Sequence, residues 1–166
     1  MAHIRLRAPT ISDGPALHSL IAACPPLDVN SAYAYHLIGW HHSDTSIAAE
    51  DDEGLVGAVT AYRHPKHPQT LFVWQVAVHE RGRGQGLAVR MMESLLARLP
   101  EITRLETTIG PSNRASHALF TRLADNFESQ IHCEALIPAE ACGLGHEAED
   151  LVSVGPLAQR SPPRPS

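Results

Sequence analysis

The feature that most constrains the fold is a short apolar run, Val76-Ala77-Val78, which leads into a glycine- and arginine-rich turn and then into a helical pattern. The turn reads Arg81-Gly82-Arg83-Gly84-Gln85-Gly86, and Leu87-Ala88 opens the helix. A strand that ends in this way leaves backbone N–H groups unpaired at the helix start, where glycines let a phosphate approach and the helix dipole favours an anion. The pattern therefore predicts a strand–turn–helix unit with a pyrophosphate site.

The spacing of this turn argues against the two common nucleotide fingerprints. The sequence contains no Gly-x-Gly-x-x-Gly with a later acidic ribose partner, and no Gly-x-x-x-x-Gly-Lys-Ser/Thr. What is present is Arg81-x-x-Gly84-x-Gly86, which resembles the acetyl-coenzyme A signature of the GCN5-related N-acetyltransferases (GNAT). The alternative is a plain strand–helix connection that binds no ligand.

A second motif follows, in which the alternating stretch 105–109 meets a Gly110-Pro111 break. Asn113 or Ser112 is then the expected N-cap of a helix. The apolar face of that helix is expected to carry Ala115, Ala118, Leu119 and Leu123. The resemblance to GNAT enzymes implies that Asn113 contacts the pantetheine arm or the pyrophosphate and that its helix flanks the cofactor. Capping alone also explains an Asn here, and both roles can coexist.

The resemblance implies acetyl-CoA as the cosubstrate. The residues expected to contact it lie in the strand before the turn, in the turn, at the start of the next helix, and in the helix that follows Asn113. They are Gln75, Val76, Ala77, Val78, Arg81, Gly82, Arg83, Gly84, Gln85, Gly86, Leu87, Ala88, Asn113, Ser116 and Phe120.

Hydrophobic periodicity and turn signals predict the order strand, two helices, three strands, helix, strand, helix and two strands. The strands are expected at 3–8, 45–50, 55–62, 71–78, 104–109, 128–137 and 151–154. The first helix is expected to run from Ser12 or Asp13 to before Pro25, and the others at 31–41, 87–99 and 113–125. A hairpin turn is expected at 51–54 and a loop at 63–70. This is the order of the GNAT fold, which is α/β (α+β) with a central mixed, mostly antiparallel sheet flanked by helices. We expect one N-acetyltransferase domain over 1–157 and a disordered, proline-rich tail over 158–166.

Composition narrows the class of protein. A length of 166 residues suits one domain, and a formal charge of -5 argues against a long basic face for nucleic acid. Cys24, Cys133 and Cys142 are odd in number and lack paired metal-ligand spacing, so neither a disulfide framework nor a zinc site is indicated. The N-terminus shows no signal peptide, and no apolar stretch is long enough to cross a bilayer. We therefore expect a cytoplasmic protein without a metal, a nucleic-acid partner or a membrane partner.

Three segments outside the cofactor motifs resemble one family within GNAT, the L-2,4-diaminobutyrate acetyltransferases of ectoine biosynthesis. They are Pro26-Leu27-Asp28-Val29-Asn30-Ser31-Ala32-Tyr33-Ala34-Tyr35, Phe72-Val73-Trp74-Gln75-Val76-Ala77-Val78, and Gly145-His146-Glu147-Ala148-Glu149. With the cofactor motifs, the resemblance spans about 3–157. It implies an enzyme of osmoadaptation that forms a homodimer and acetylates the 4-amino group of L-2,4-diaminobutyrate, giving N4-acetyl-L-2,4-diaminobutyrate.

A diamino acid makes distinct demands on its site. Selectivity needs an acid for the retained α-ammonium and donors for the carboxylate, while the 4-amine must lose a proton before it attacks the thioester. The expected substrate-binding residues are Asp28, Asn30, Tyr33, Tyr35, Trp74 and Glu149, with Glu147 as a further acid. Structural roles explain the same residues: Asp28 or Asn30 as a helix cap, Tyr33 as core, Trp74 as a packed strand residue, and the two glutamates as solvated loop acids.

The chemistry implied by the resemblance is direct attack of the neutral amine on acetyl-CoA in a ternary complex. Backbone N–H groups near 75–78 are expected to polarise the thioester carbonyl where this strand splays from its neighbour. Glu149, Glu147 and His146 are the candidate bases. Many relatives place a tyrosine where this chain offers Phe120, so Tyr33, Tyr35 or water is left as the proton donor to the thiolate.

Two other functions compete with this interpretation. One is acetylation of another amine, such as a protein N-terminus, a polyamine or an aminoglycoside, in which case the Asp28 segment is incidental. The other is a non-catalytic coenzyme A-binding module that keeps the fold without the chemistry. Release of coenzyme A thiol in the presence of 2,4-diaminobutyrate distinguishes the three.

Overall fold

The computed structural model describes residues 3–158, so the expected tail lies outside the described residues except for Ala158. Among the described residues the chain forms two compact units. The first contains 3–62 and Val73–Leu99, and the second contains Arg63–Phe72 and 100–158. A single domain over 1–157 stays a prediction.

Strands and helices follow the expected order. The strands are β1 (Arg5–Arg7), β2 (Ile47–Asp51), β3 (Gly54–His64), β4 (His67–Val78), β5 (Arg104–Ile109), β6 (Gln130–Ile137) and β7 (Glu149–Gly155). The helices are α1 (Gly14–Ala22), α2 (Ala32–His41), α3 (Leu87–Arg98) and α4 (Arg114–Asn126), with short 3-10 turns at Ile11–Asp13, Glu80–Gly82 and Ala139–Ala141. None of the helices within 3–158 is long and apolar enough to span a membrane.

The strands form one mixed sheet in the order β1-β2-β3-β4-β5-β7-β6. In its parallel pairing, Thr70, Leu71 and Phe72 of β4 lie opposite Arg104, Leu105 and Glu106 of β5. The pairings β1–β2, β2–β3, β5–β7 and β6–β7 are antiparallel. The prediction of a mixed, mostly antiparallel sheet is therefore confirmed.

The first unit is built around a core that α1 and α2 cover. Leu17, Leu20 and Ile21 of α1 pack with Tyr35 and Ile38 of α2 in one buried cluster. Each large aliphatic side chain buried in this way contributes about 1.5–3 kcal/mol. A Cβ at Gly39 would collide with the Thr10 carbonyl, so the close approach of α2 to the 3-10 turn needs glycine there. This packing places the N-terminus of α2, and the segment before it, at a defined position in the unit.

Two sequence predictions about the elements are wrong in detail. The stretch 63–70 is largely strand, because β3 continues to His64 and β4 begins at His67, which leaves Pro65-Lys66 as a tight turn. Proline is tolerated near a strand start, as at Pro68, because the missing N–H costs little there. In α4 the buried residues are Phe120, Leu123 and Ala124, so the apolar stripe is rotated from the predicted one and Ala115 and Ala118 are exposed.

Candidate active site

The glycine turn has the geometry that an approaching anion requires. Gly84 and Gly86 have φ of +75° and +67°, a conformation that favours glycine, and a Cβ at either position would meet nothing within 4 Å. Gly86 is the N-cap of α3, whose first N–H groups have no acceptor within the helix. Open space, left-handed glycines and unpaired helical N–H groups together fit a pyrophosphate.

Arg81 plays a structural role in the same turn. Its Nε donates to Asp51 Oδ2 at 2.9 Å, and its Nη2 donates to the Leu55 carbonyl at 3.1 Å. This guanidinium holds the pKa of Asp51 below its usual range through the hydrogen bonds it donates. The Arg81 side chain therefore anchors the glycine turn to the β2–β3 hairpin. Arg83, by contrast, is exposed and donates from Nε to the Val78 carbonyl at 3.1 Å.

In the strand before the turn, Gln75 makes a hydrogen bond that bears on the expected cofactor contacts. The backbone N–H of Gln75 donates to Thr60 Oγ1 at 3.1 Å, so this N–H is already engaged. Ala77 is buried, whereas Val76 and Val78 are half-buried. Trp74 has 43% of its surface exposed, so packing into the core does not account for it. The role of 75–78 in holding acetyl-CoA stays a prediction. The N–H groups of 76–78 are better candidates than that of Gln75 for polarising the thioester carbonyl.

The structure decides two of the structural explanations offered for residues at the start of α2 and in the segment before it, a helix cap and core packing. Ser31 caps α2, because its side chain accepts from the Ala34 N–H at 3.3 Å, so the cap assigned to Asp28 or Asn30 is wrong. Tyr33 is 70% exposed, so the interpretation of Tyr33 as core is wrong too. Asp28 is exposed and Asn30 is half-buried. Asp28 and Tyr33 thus have accessible side chains that capping and core packing do not explain.

Tyr35 differs from its neighbour Tyr33. It is 1% exposed, and its hydroxyl donates to Gln75 Oε1 at 3.0 Å. The structure thus brings together Tyr35, Gln75, Asp28 and Asn30, although Tyr35 lies beneath the exposed segment and not on its surface.

In the second unit, Asn113 is the N-cap of α4. Its Oδ1 accepts from the Ser116 N–H at 3.2 Å, which confirms the capping interpretation. Phe120 is buried, so its ring belongs to the packed face of α4. Contact of Asn113, Ser116 and Phe120 with the cofactor stays a prediction.

The loop before β7 carries the candidate bases. Glu147 accepts from Ser112 Oγ at 2.8 Å and from the Ser112 N–H at 3.3 Å. A Cβ at Gly110 would collide with the Glu147 carboxylate, so this glycine makes room for the contact. Glu149 is the first residue of β7 and is half-buried, whereas His146 is exposed. Glu147 therefore joins its loop to the start of α4, and Glu149 takes no part in that contact.

The predicted site residues divide between the two units. Asp28, Asn30, Tyr33, Tyr35, 74–78 and 81–88 lie in the first unit, and Asn113, Ser116, Phe120, His146, Glu147 and Glu149 lie in the second. Within 3–158, no group of three or more His, Cys, Asp or Glu side chains could hold a metal ion. Sequence reasoning missed Asp51 and Thr60 as partners of the site, because both act through contacts distant in sequence. The only local signal was the acidic composition of the turn that begins at Asp51.

Comparison with known proteins places the chain in a family. The model of the Acetyltransferase (GNAT) family matches residues 14–124. The L-2,4-diaminobutyric acid acetyltransferase of Methylotuvimicrobium alcaliphilum is 49% identical over 93% of this chain and 91% of that protein. Its counterpart in Chromohalobacter salexigens is 45% identical over 92% of this chain and 81% of that protein. The chain belongs to the diaminobutyrate acetyltransferases of the GNAT family.

A solved structure of a diaminobutyrate acetyltransferase agrees with this membership. The enzyme EctA from Paenibacillus lautus, in complex with its substrate L-2,4-diaminobutyric acid and coenzyme A, superposes with a TM-score of 0.90 at 37% identity. The match covers 94% of this chain and 96% of that chain. The predicted GNAT fold is thereby confirmed, and acetyl-CoA is the cosubstrate of the family.

Proposed function

We propose that this chain transfers the acetyl group of acetyl-CoA to the 4-amino group of L-2,4-diaminobutyrate, giving N4-acetyl-L-2,4-diaminobutyrate in ectoine biosynthesis. One observation carries the proposal: the match over 94% of the chain to an enzyme that holds both diaminobutyrate and coenzyme A. The segment from 26 to 35 bears on the acceptor in particular, since coenzyme A binding does not require that segment.

Acetyl-CoA supplies the acetyl group as a thioester, and its pyrophosphate fits the open turn at Gly84 and Gly86. The backbone amides of that turn and the first N–H groups of α3 bind the anion. Arg83 adds positive charge at an exposed position. Arg81 contributes by fixing the turn to Asp51, because its guanidinium is already engaged there.

The acceptor is held by groups of opposite charge. Asp28 binds the α-ammonium. Asn30, Tyr33 and Trp74 donate hydrogen bonds to the carboxylate or pack against the rest of the amino acid. Glu149 accepts the proton that the 4-ammonium must lose, since Glu147 is engaged with Ser112. The neutral amine then attacks the thioester carbonyl, and backbone N–H groups of 76–78 stabilise the charge that develops on its oxygen. A preorganised donor of this kind is worth about 2.7–4 kcal/mol. The new N–C bond forms as the C–S bond breaks, the attacking nitrogen loses a proton, and coenzyme A leaves as a thiolate that takes up a proton from Tyr33 or water.

The regiochemistry of the product tests the proposed function. Because the site grips the α-ammonium, only the distal amine reaches the thioester, and NMR of the product should show acetylation at N4 alone. Ornithine and 2,3-diaminopropionate should react about a hundredfold more slowly, since one methylene displaces the nucleophile by more than 1 Å. Acetylation at the α-nitrogen, or thiol release only with other amines, would overturn the proposal.

We infer that the enzyme is a homodimer and that β6 lies in its interface. All of β6, Gln130–Ile137, is exposed, and it is an outer strand of the sheet. Ile131, Leu136 and Ile137 are large apolar side chains on this strand. A long exposed apolar edge strand invites pairing with another chain, and a second copy supplies a complementary edge.

Replacing Leu136 with Lys should convert the dimer to a monomer, because burying a lysine on the interface is unfavourable. Light scattering coupled to size exclusion measures the mass. Ile11→Lys, on an exposed residue of the first unit, is the matched control and should stay dimeric. A monomeric parent protein, or a Leu136→Lys variant that remains dimeric, would contradict this interface.

The expected setting is the cytoplasm, where the enzyme serves osmoadaptation. The three cysteines are free thiols, which suits a reducing compartment. The formal charge of -5 supports the absence of a nucleic-acid partner.

A further inference from the structure

Two polar side chains are buried together beneath the 28–30 segment. Tyr35 is 1% exposed and Gln75 is 6% exposed. They come from α2 and β4, and the Tyr35 hydroxyl donates to Gln75 Oε1 at 3.0 Å. Buried polar groups of this kind are retained only when their hydrogen bonds are satisfied, so their partners show what they do.

Both side chains reach the backbone of the same short segment. The Gln75 amide donates from Nε2 to the Asp28 carbonyl at 2.7 Å. The Asn30 N–H donates to the Tyr35 hydroxyl at 3.3 Å. The two ends of the segment are therefore held by one connected pair of side chains.

The pair is itself fixed to the sheet. Thr60 of β3 is 1% exposed, and its Oγ1 accepts the backbone N–H of Gln75 at 3.1 Å. Tyr35 packs in the buried cluster that contains Leu17 and Ile38. A rigid base thus carries the two side chains, and they in turn carry the segment.

The segment itself has no regular structure. Residues 28–30 belong to no helix or strand, and the Asp28 and Val29 side chains are exposed. Backbone groups in such a stretch need partners from side chains or water. The Gln75 amide, as a donor to the Asp28 carbonyl, and the Tyr35 hydroxyl, as an acceptor from the Asn30 N–H, supply two of them. They fix the position of the Asp28 carboxylate through the backbone.

We propose that Gln75 and Tyr35 are positioning residues that hold the Asp28 segment in the place that the diamino acid requires. This rests on the proposed function, and it differs from the expected roles of Tyr35 as a substrate ligand and of Gln75 as a cofactor contact. The pair sets affinity for the amine, and it leaves affinity for acetyl-CoA to the glycine turn.

The test compares Tyr35→Phe and Gln75→Leu with Ser46→Ala. Tyr35→Phe keeps the packed ring and removes only the hydroxyl, so it retains the fold even if Gln75→Leu does not. Ser46 is the control, because it is equally buried in the first unit and its Oγ accepts from the Ala61 N–H at 3.1 Å without touching the 28–30 segment.

The first measurement needs no substrate. Hydrogen–deuterium exchange of the peptide 27–31 should accelerate by about tenfold or more in both variants. Tyr35→Phe removes the acceptor of the Asn30 N–H, and Gln75→Leu removes the donor to the Asp28 carbonyl. The second is steady-state kinetics. KM for diaminobutyrate should rise by about tenfold or more, while KM for acetyl-CoA stays within about twofold, and Ser46→Ala should change neither.

The two proposals fail differently. A parent enzyme that does not acetylate diaminobutyrate would overturn the proposed function. An active parent with unchanged exchange in Tyr35→Phe would overturn the positioning role alone, as would a rise in both KM values by the same factor.

Discussion

Replacing Asp28 with Asn should lower kcat/KM for 2,4-diaminobutyrate by about a hundredfold or more, because the α-ammonium loses the carboxylate that pairs with it. The midpoint of thermal unfolding should hardly move, since Ser31 and not Asp28 caps α2. The contact with Gln75 uses the backbone carbonyl of Asp28, which the substitution keeps. Steady-state kinetics and calorimetric melting of the same preparation measure both effects.

A matched control distinguishes the loss of the Asp28 carboxylate from a general change in the charge of the protein. Asp44 is an exposed acid in the loop between α2 and β2 of the same unit, and Asp44→Asn removes the same charge outside the hairpin that Arg81 contacts. It should keep full activity. An Asp28→Asn variant with the activity of the parent would mean that this carboxylate does not bind the amine.

Replacing Gly84 with Val should weaken acetyl-CoA binding by about tenfold or more and leave diaminobutyrate binding nearly unchanged. The turn is open at this position, so a branched side chain would occupy the space through which the pyrophosphate approaches. The residue has φ of +75°, so valine also strains the backbone there. Isothermal titration with acetyl-CoA and with the amino acid measures the two affinities.

The loss of acetyl-CoA affinity that backbone strain causes must be separated from the loss that the valine side chain causes by blocking the turn. Gly145 has φ of +79° and equally open surroundings, and it lies outside the glycine turn. Gly145→Val therefore imposes similar strain and should keep acetyl-CoA affinity. Equal losses in the two variants would assign the effect to folding, and unchanged affinity in Gly84→Val would remove the turn from the cofactor site.

Local patterns in the sequence predict the elements well. Strand alternation and helix caps give β5 with its observed limits and place α4 directly after Asn113. The buried face of α4, which differs from the predicted one, shows that such patterns do not identify the buried face of every helix. Alanine is compatible with either side of a helix, so Ala115 and Ala118 do not identify the buried face.

Partners distant along the chain were beyond the reach of the sequence. Arg81 belongs to a cofactor signature, yet its side chain contacts Asp51 in the preceding hairpin. Tyr35 stands two residues from Tyr33 in the same motif, and only the fold shows that one is buried and the other exposed. A motif records which residue types occur together, whereas burial depends on which elements pack against them.

The chain has two tryptophans, and both indoles lie at the surface, Trp40 at 62% exposure and Trp74 at 43%. Trp74 stands next to Gln75 in β4, beside the groups proposed to hold the amino acid, while Trp40 is near the end of α2. A Trp40→Phe background therefore leaves a single tryptophan, at the acceptor end of the site, which can be excited separately from the tyrosines. Its emission would report occupancy by the diamino acid directly, without a coupled assay or a label.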